Sequence, residues 1–321
     1  MKVLLLGATG LLGHNVLLRL MDEGHQVVAL ARRADGIHLP AGGWETVEGP
    51  LLDYNTLRKA SEGCDAVVNC AGCTDMSLLH YSDFLPVNRD LCALLVKLMD
   101  DTGIKTLVHT STVNTIGFGF RNYPADESSP MEIPFKGSFY ADSKCEGEQQ
   151  VLAAAMEGRH VVVVNPGFML GPYDVKPSSG RMLLTAYRKP LMFAPKGGKA
   201  FVYVGDVAQA IVNALTQGEN GGRYIAVNSH ACMSIKELYE LQAEVCGYHQ
   251  WVMTVPNWLL LAAGRVGDWL RWMGVRTQVS TSNVRQLMIR EYYDSSRARR
   301  ELGMPETSLA ESIIKFYEWR K

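Results

Sequence analysis

The apolar run Val3-Leu4-Leu5-Leu6 stops at Gly7-Ala8-Thr9-Gly10-Leu11-Leu12-Gly13, and a helical pattern, Leu11–Asp22, follows directly. Few folds accommodate a buried strand, a three-glycine turn and a helix in that order. Gly7 permits the tight turn. Gly10 lets the backbone approach a pyrophosphate with no Cβ in the way, and Gly13 allows close packing of helix on sheet. The helix N-terminus then presents N–H groups and a positive dipole end to phosphate. Thr9, Leu11 and Leu12 complete the expected phosphate turn. A lone glycine triplet says little, and its place between strand and helix is what gives it meaning. Lys2 followed by the apolar run mimics the start of a signal peptide, but the run is cut off at Gly7 and reads as a strand.

Further apolar runs at Val27–Ala31, Ala66–Cys70, Leu107–Ser111 and Val161–Asn165 suit strands buried on both faces. Helical patterns lie between them at Tyr54–Ser61, Phe84–Asp101 and Phe139–Glu157. The alternation predicts an α/β fold, a Rossmann-type doubly wound parallel sheet. The pattern changes after residue 165. Residues 166–203 are rich in Gly, Pro, Met and aromatics. A strand at Phe201–Val204, a helix from about Asp206 to Thr216 and a strand at Arg223–Val227 come next, and the remainder is mainly helical. The expected division is a dinucleotide-binding domain over 1–165 and a smaller, mainly helical substrate lobe over 166–321, with some chain crossing back to the sheet. A chain of 321 residues, 47% hydrophobic, can bury a core of that size.

Charge and cysteine content narrow the function classes. A formal net charge of −1 gives no basic field for nucleic acid. The seven cysteines are scattered, and the one C-x-x-C, Cys70 and Cys73, has no second pair to complete a metal site. No metal is expected, and the usage fits a reducing, cytoplasmic setting. The most apolar later stretch, Trp258–Met273, is interrupted by Arg265, Asp268 and Arg271 and is too broken to span a bilayer. Whether 257–273 touches a membrane or only covers the site is left open by the sequence.

An NAD-type site places Asp or Glu at the end of the second strand, on the ribose hydroxyls. Here that strand ends in Arg32-Arg33. A guanidinium can fork onto a 2′-phosphate that an Asp would repel, so NADP(H) is expected ahead of NAD(H). The alternative is a pair of solvated surface arginines. Tyr140-Ala-Asp-Ser-Lys144 is a Y-x-x-x-K, and so is Tyr317-Glu-Trp-Arg-Lys321 at the far end. Only the first opens a long helical stretch after a strand whose carboxyl end carries Ser111 and Thr112. A free tyrosine, with a pKa of about 10, is a poor base at neutral pH. A lysine ammonium one turn away favours its phenolate, which can take an alcohol proton or return it. Thr112 or Ser111 would orient the substrate oxygen.

Together these features resemble the extended short-chain dehydrogenase/reductase family, part of the NAD-dependent epimerase/dehydratase superfamily. The resemblance runs from G-A-T-G-L-L-G at 7–13 through L-L-D at 51–53, N-C-A-G at 69–72, V-N at 87–88 and H-T-S-T-V-N-T-I-G at 109–117. It continues through Y-A-D-S-K at 140–144, N-P-G-F-M-L-G-P at 165–172, V-Y-V-G-D-V-A-Q-A at 202–210 and D-S-S-R-A-R-R-E-L-G at 294–303. It implies that Asp53 binds the adenine amino group and that Ala71 and Gly72 pass under the cofactor. It also implies that Pro166 and Gly167, with Met169 close by, lie near the nicotinamide, and that Thr112, Tyr140 and Lys144 form the catalytic set. A homodimer through the helices at 84–101 and 139–157 is implied as well.

Departures from the family's patterns narrow the reaction. The dehydratases carry Asp-Glu after the catalytic Thr, where this chain has Val113 and Asn114. The epimerases carry an Arg-Pro-Gly-Asp-like segment where this chain reads Ile289-Arg290-Glu291-Tyr292-Tyr293. The chain is most similar to the dihydroflavonol-reductase and 3β-hydroxysteroid-dehydrogenase branch, and V-P-N-W-L-L-L-A-A-G at 255–264 resembles a stretch found there. Met76, Phe118, Phe120, Phe168, Met169, Met182, Tyr187, Met192 and Phe193 are expected in loops at the sheet's carboxyl edge. There they either wall a bulky apolar substrate or pack the two lobes together. The expected activity is NADP(H)-dependent interconversion of a ketone and a secondary alcohol on a ring-type substrate. A nucleotide-sugar epimerase and an NADP(H)-sensing protein are the alternatives.

Overall fold

The structure, a computed structural model, describes residues 1–33, 36–37, 42–155 and 158–321. β1 (Lys2–Leu6) lies between β2 (Gln26–Ala31) and β4 (Ala66–Asn69). β3 (Trp44–Glu48) forms one edge of the sheet. On the other side β5 (Thr106–Thr110), β6 (His160–Pro166) and β10 (Gly222–Ala226) follow. The order β3-β2-β1-β4-β5-β6-β10 is parallel throughout. The strand order therefore reverses direction at β1, and a crevice opens beyond the carboxyl ends of β1 and β4, where such sheets bind ligands.

Both faces of the central strands are covered, which is why they read as unbroken apolar runs. Val3 and Leu5 face one core with Val16, Leu17 and Leu20 of α1 (Leu11–Asp22) and Val207 and Ile211 of α6 (Val204–Asn213). Leu4 and Leu6 face the other core with Leu57 of α2 (Tyr54–Ala60) and Leu91, Leu95 and Leu98 of α3 (Leu91–Thr102). Each fully buried leucine contributes roughly 1.5–3 kcal/mol relative to exposure. The predicted helix over Phe84–Asp101 is in fact a π turn, Pro86–Asp90, running into α3. α4 (Phe139–Ala153) covers most of the predicted Phe139–Glu157, whose Met156 and Glu157 lie outside the described residues.

The second half is less purely helical than its sequence pattern suggests. β7 (Phe168–Leu170), β9 (Gly198–Tyr203) and β11 (Cys232–Ser234) form a small sheet. β8 (Leu191–Ala194) pairs with β12 (Trp251–Thr254) in a parallel ribbon. Phe168, Met169, Met192 and Phe193 thus sit in strands rather than the expected loops. Met182 lies in α5 (Gly180–Ala186). α7 (Ile235–Val245), α8 (Asn257–Trp272), α9 (Thr281–Gln286), α10 (Ser296–Leu302) and α11 (Leu309–Arg320) complete the chain. No helix among the described residues is long and apolar enough to cross a membrane.

Candidate active site

The glycine turn is built as its spacing requires. Gly7 adopts φ +85°, and a Cβ there would sit 2.6 Å from the Ala71 nitrogen. A Cβ on Gly13 would lie 2.0 Å from the Gly7 carbonyl oxygen. The loop after β1 therefore touches both the loop after β4 and the first turn of α1 through bare backbone. Gly10 caps α1 with extended backbone and no side-chain hydrogen bond, which leaves the helix N-terminus uncovered at Leu11 and Leu12. Arg32 and Arg33 follow β2 and are exposed, and Thr9 approaches Gly36 just beyond them. Asp53 is exposed and accepts from the Asn55 and Thr56 backbone N–H groups, capping α2. Those bonds and the Thr56 hydroxyl hold its carboxyl below the usual value.

The loop carrying Ala71 and Gly72 is pinned from two sides. Asn69 is buried and accepts from the Ala71 N–H at 3.1 Å. Asn88, on the π turn, accepts from the Cys73 N–H at 2.8 Å and donates to the Cys73 carbonyl at 3.1 Å and to Ser143 Oγ at 2.9 Å. Asn88 thus couples this loop to α4. Gly147 makes the coupling possible, since a Cβ there would meet the Asn88 carbonyl at 1.9 Å. Burial pushes the Cys70 thiol up to about 12, so it stays protonated near neutrality.

α4 delivers Tyr140 and Lys144 one turn apart. Lys144 is buried, and its ammonium donates to the Thr110 carbonyl at 2.7 Å. Burial pulls its pKa down from the ordinary lysine value. The Thr112 side chain stands beside the Tyr140 phenol. Burial raises the phenol's pKa, and the Thr112 side chain works against that rise. Ser111 Oγ is buried with no hydrogen-bond partner, an orphan polar atom at the carboxyl end of β5. Lys144, the Ser111 hydroxyl and the bare glycine turn fit a dinucleotide laid along the crevice. His109, buried beside the site, is held well below its usual pKa and remains neutral, chiefly through burial.

Thr112 is held by residues that the sequence did not single out. Its carbonyl accepts from Asn165 Nδ2 at 3.1 Å and from the Thr115 hydroxyl at 2.8 Å. Asn165 Nδ2 also donates to Glu148 Oε2 at 2.9 Å, the single Thr115 hydroxyl proton is shared between the Thr112 carbonyl and Glu148 Oε2, each 2.8 Å away, and Glu148 Oε1 pairs with Arg223 at 2.7 Å. Glu148 lies four residues beyond Lys144, on the same buried face of α4. A carboxylate at that spacing on a core-facing stripe was the available signal.

A cavity of about 240 Å³ opens at Tyr140. Met76, Leu78, Leu79, Phe84 and Phe139 supply apolar wall, and Asp268 and Arg271 of α8 with Ser280, Ser282 and Asn283 supply the opposite side. Of the proposed substrate-side residues, Met76 is placed there. Phe118 packs against Phe135, Phe168 against Phe201 and Tyr187 between Tyr317 and Tyr248, while Phe120 and Phe193 are exposed. Met182 joins the same small-lobe core. Pro166 and Gly167 stand at the end of β6, and a Cβ on Gly167 would meet the Ala200 carbonyl at 2.4 Å, so this glycine also serves packing.

Residues 3–228 match the NAD dependent epimerase/dehydratase family. The chain belongs to that family. It is 30% identical, over 98% of its length and 92% of the relative's, to a putative dihydroflavonol 4-reductase of Synechocystis sp.. It is 29% identical, over 99% of its length and 98% of the relative's, to sterol demethylase protein B of Methylococcus capsulatus. Among solved structures it resembles MoeE5 in complex with UDP-glucose and NAD, with a TM-score of 0.78 and 21% identity. That alignment covers 100% of this chain and 98% of that one, and at this identity it shows the shared fold. The chain is therefore an enzyme of a nicotinamide-dinucleotide family, with reductases and dehydrogenases among its relatives.

Proposed function

We propose that this chain is an NADP(H)-dependent oxidoreductase that interconverts a ketone and a secondary alcohol on a bulky, largely apolar ring-type substrate. The observation that carries it is Tyr140, beside Thr112 and one turn from buried Lys144, facing a cavity walled by Met76, Leu78, Leu79, Phe84 and Phe139. When bound, the dinucleotide supplies or accepts the hydride. Gly7, Thr9, Gly10, Leu11, Leu12 and Gly13 would hold its pyrophosphate, Arg32 and Arg33 its 2′-phosphate, and Asp53 its adenine. Ala71, Gly72, Pro166, Gly167 and Met169 would flank the remainder. In reduction Tyr140 donates its phenolic proton to the carbonyl oxygen, and in oxidation it takes the proton back. The Lys144 cation lowers the cost of the phenolate, while the Thr112 and Ser111 hydroxyls orient the reacting oxygen.

The charges around the site favour this substrate class over a sugar nucleotide. A buried diphosphate needs cationic partners. Lys199 is buried and paired with Glu291, and Arg181 is exposed on α5. The Arg271 guanidinium at the cavity donates to the carbonyls of Met76, Leu78 and Thr277. The names of the two curated relatives, a flavonoid-type reductase and a sterol-processing protein, agree with an apolar ring. In this reading residues 1–165 hold the dinucleotide and 166–321 complete the substrate side. A second copy would pack along the helices at 84–101 and 139–157.

A thermal-shift screen with NADP(H) present, spanning steroids, flavonoids, small ketones and sugar nucleotides, tests the substrate class, because a ligand selective for the folded state raises the midpoint. Stabilisation by an apolar ring compound, with turnover of it followed by NADPH absorbance, is expected. Stabilisation by UDP- or dTDP-sugars alone would replace this reading with a nucleotide-sugar epimerase.

A further inference from the structure

α8 is amphipathic in the wrong sense for a helix of a water-soluble lobe. Its inward face is small: Gly264 and Gly267 are its buried residues, and a Cβ on Gly267 would meet the Val279 carbonyl at 2.0 Å. Its outward face carries Trp258, Ala262, Val266, Trp269 and Met273, one stripe at helical spacing. Trp258 is 70% exposed, Trp269 58% and Trp272 82%. Water-facing tryptophans in that number are an anomaly for a helix that packs on its own domain.

The exposed apolar surface continues into the ribbon that precedes the helix. β12 reaches α8 through Val255 and Pro256 alone. In the β8–β12 register Trp251 stands opposite Leu191 and Met253 opposite Phe193, so all four side chains share one face of the ribbon. All four are exposed, Trp251 by 72% and Phe193 by 59%.

Exposed cations stand beside this surface. Exposed Arg265 stands among the tryptophans of the outward α8 face, whereas Arg271 is turned to the Met76, Leu78 and Thr277 carbonyls and Arg290 to Glu237. Asp268 accepts from the Thr281 N–H and lines the cavity, so it does not belong to the outward stripe. Exposed Arg188 and Lys189 precede β8, exposed Lys196 follows it, and 186–199 contains no acid. Tryptophan and aliphatic side chains with exposed Arg188, Lys189, Lys196 and Arg265 beside them suit the headgroup boundary of an anionic bilayer, where indole rings settle and cations find phosphates.

We propose that the outward face of α8 and the β8–β12 ribbon dock this enzyme on an anionic phospholipid surface. The helix lies in the interface plane and does not span it. The same helix supplies Asp268 and Arg271 to the cavity, so docking sets the cavity beside the lipid. The proposal goes beyond the reaction assigned above and does not depend on it.

Vesicle flotation of the full chain, without substrate or dinucleotide, tests it. The vesicles are phosphatidylcholine alone, or phosphatidylcholine mixed with phosphatidylglycerol. Binding to the mixed vesicles is expected, weakened by high salt. Trp269→Ser/Trp272→Ser should reduce binding by roughly tenfold or more. Arg265→Glu/Lys189→Glu should reduce it on mixed vesicles only. Unchanged thermal midpoints would show that both variants fold. No binding by the unaltered chain, or equal binding by the tryptophan variant, overturns the proposal. An oligomer in sedimentation velocity that the tryptophan variant dissociates also overturns it, because the face would then belong to a second copy.

Discussion

Lys199 of β9 and Glu291 form a buried ion pair across the small lobe, and the Lys199 ammonium also faces the ring of Phe135. Burial pushes the Glu291 carboxyl up while the lysine pulls it back down. The pair commits this lysine to the fold.

Breaking that pair from one side should cost more than removing it. Lys199→Met strands a buried carboxylate and should destabilise the protein by about 3–5 kcal/mol. Lys199→Met/Glu291→Leu should recover most of the loss. Urea unfolding of the two variants checks this. Equal losses in both would mean that packing, not charge, is what the pair supplies.

Tyr140→Phe should lower turnover by ~10²-fold or more while the thermal midpoint and dinucleotide affinity hold. The matched control has a structural cost of its own. The Tyr317 hydroxyl accepts from Gln242 at 3.0 Å and donates to the Leu183 carbonyl at 3.2 Å. Tyr317→Phe should therefore leave turnover intact but lose about 1 kcal/mol of stability. Steady-state kinetics and denaturation of both variants separate the roles, and near-normal turnover in Tyr140→Phe would remove the tyrosine from the mechanism.

Cofactor choice should follow the end of β2. Calorimetry should show NADP(H) binding more tightly than NAD(H), and Arg32→Asp should reduce or invert the ratio by setting a carboxylate against the 2′-phosphate. Tighter NAD(H) binding by the unaltered chain would refute the assignment.

Glu301 predicts a pH dependence. Bonds from Arg300, Tyr224 and Arg297 hold its pKa down to about 2. A folded value below the unfolded one means that its contribution is present above about pH 4.5 and disappears as pH falls toward 2. The gap in thermal midpoint between the wild type and Glu301→Gln should be full at neutral pH and close on acidification. A gap that is constant from pH 7 to about 3 would contradict this.

The parts legible in the sequence are those whose physics is local. The glycine turn, the two-faced strands and the Tyr140–Lys144 spacing each state a requirement within a few residues. β3 escaped because Trp-Glu-Thr-Val-Glu is an edge strand with two acids and little burial. The π turn escaped because apolar periodicity over 84–101 does not register one widened turn, although that turn is what aims Asn88 at Cys73 and Ser143. Glu148, Asn165, Thr115 and Arg223 come from four separate segments, and only the folded chain shows that they converge beneath Thr112. The wall of the cavity at Tyr140 was missed for the same reason. Aromatic and methionine content pointed to Phe118, Phe168, Met182 and Tyr187, which pack elsewhere, while the far wall came from a helix and loop after residue 256.

The reach of Arg271 across the chain, to carbonyls almost two hundred positions earlier, has a consequence for how such an enzyme diversifies. The half of the cavity that holds Tyr140 is tied to the glycine turn and can tolerate little change. The half supplied by α8 and α9 is joined to it through main-chain oxygens at residues 76 and 78, and those oxygens persist whatever side chains stand there. New side chains on the later segment can therefore reshape the cavity while the half that holds Tyr140 is inherited intact. Selectivity and chemistry can drift at different speeds within one polypeptide.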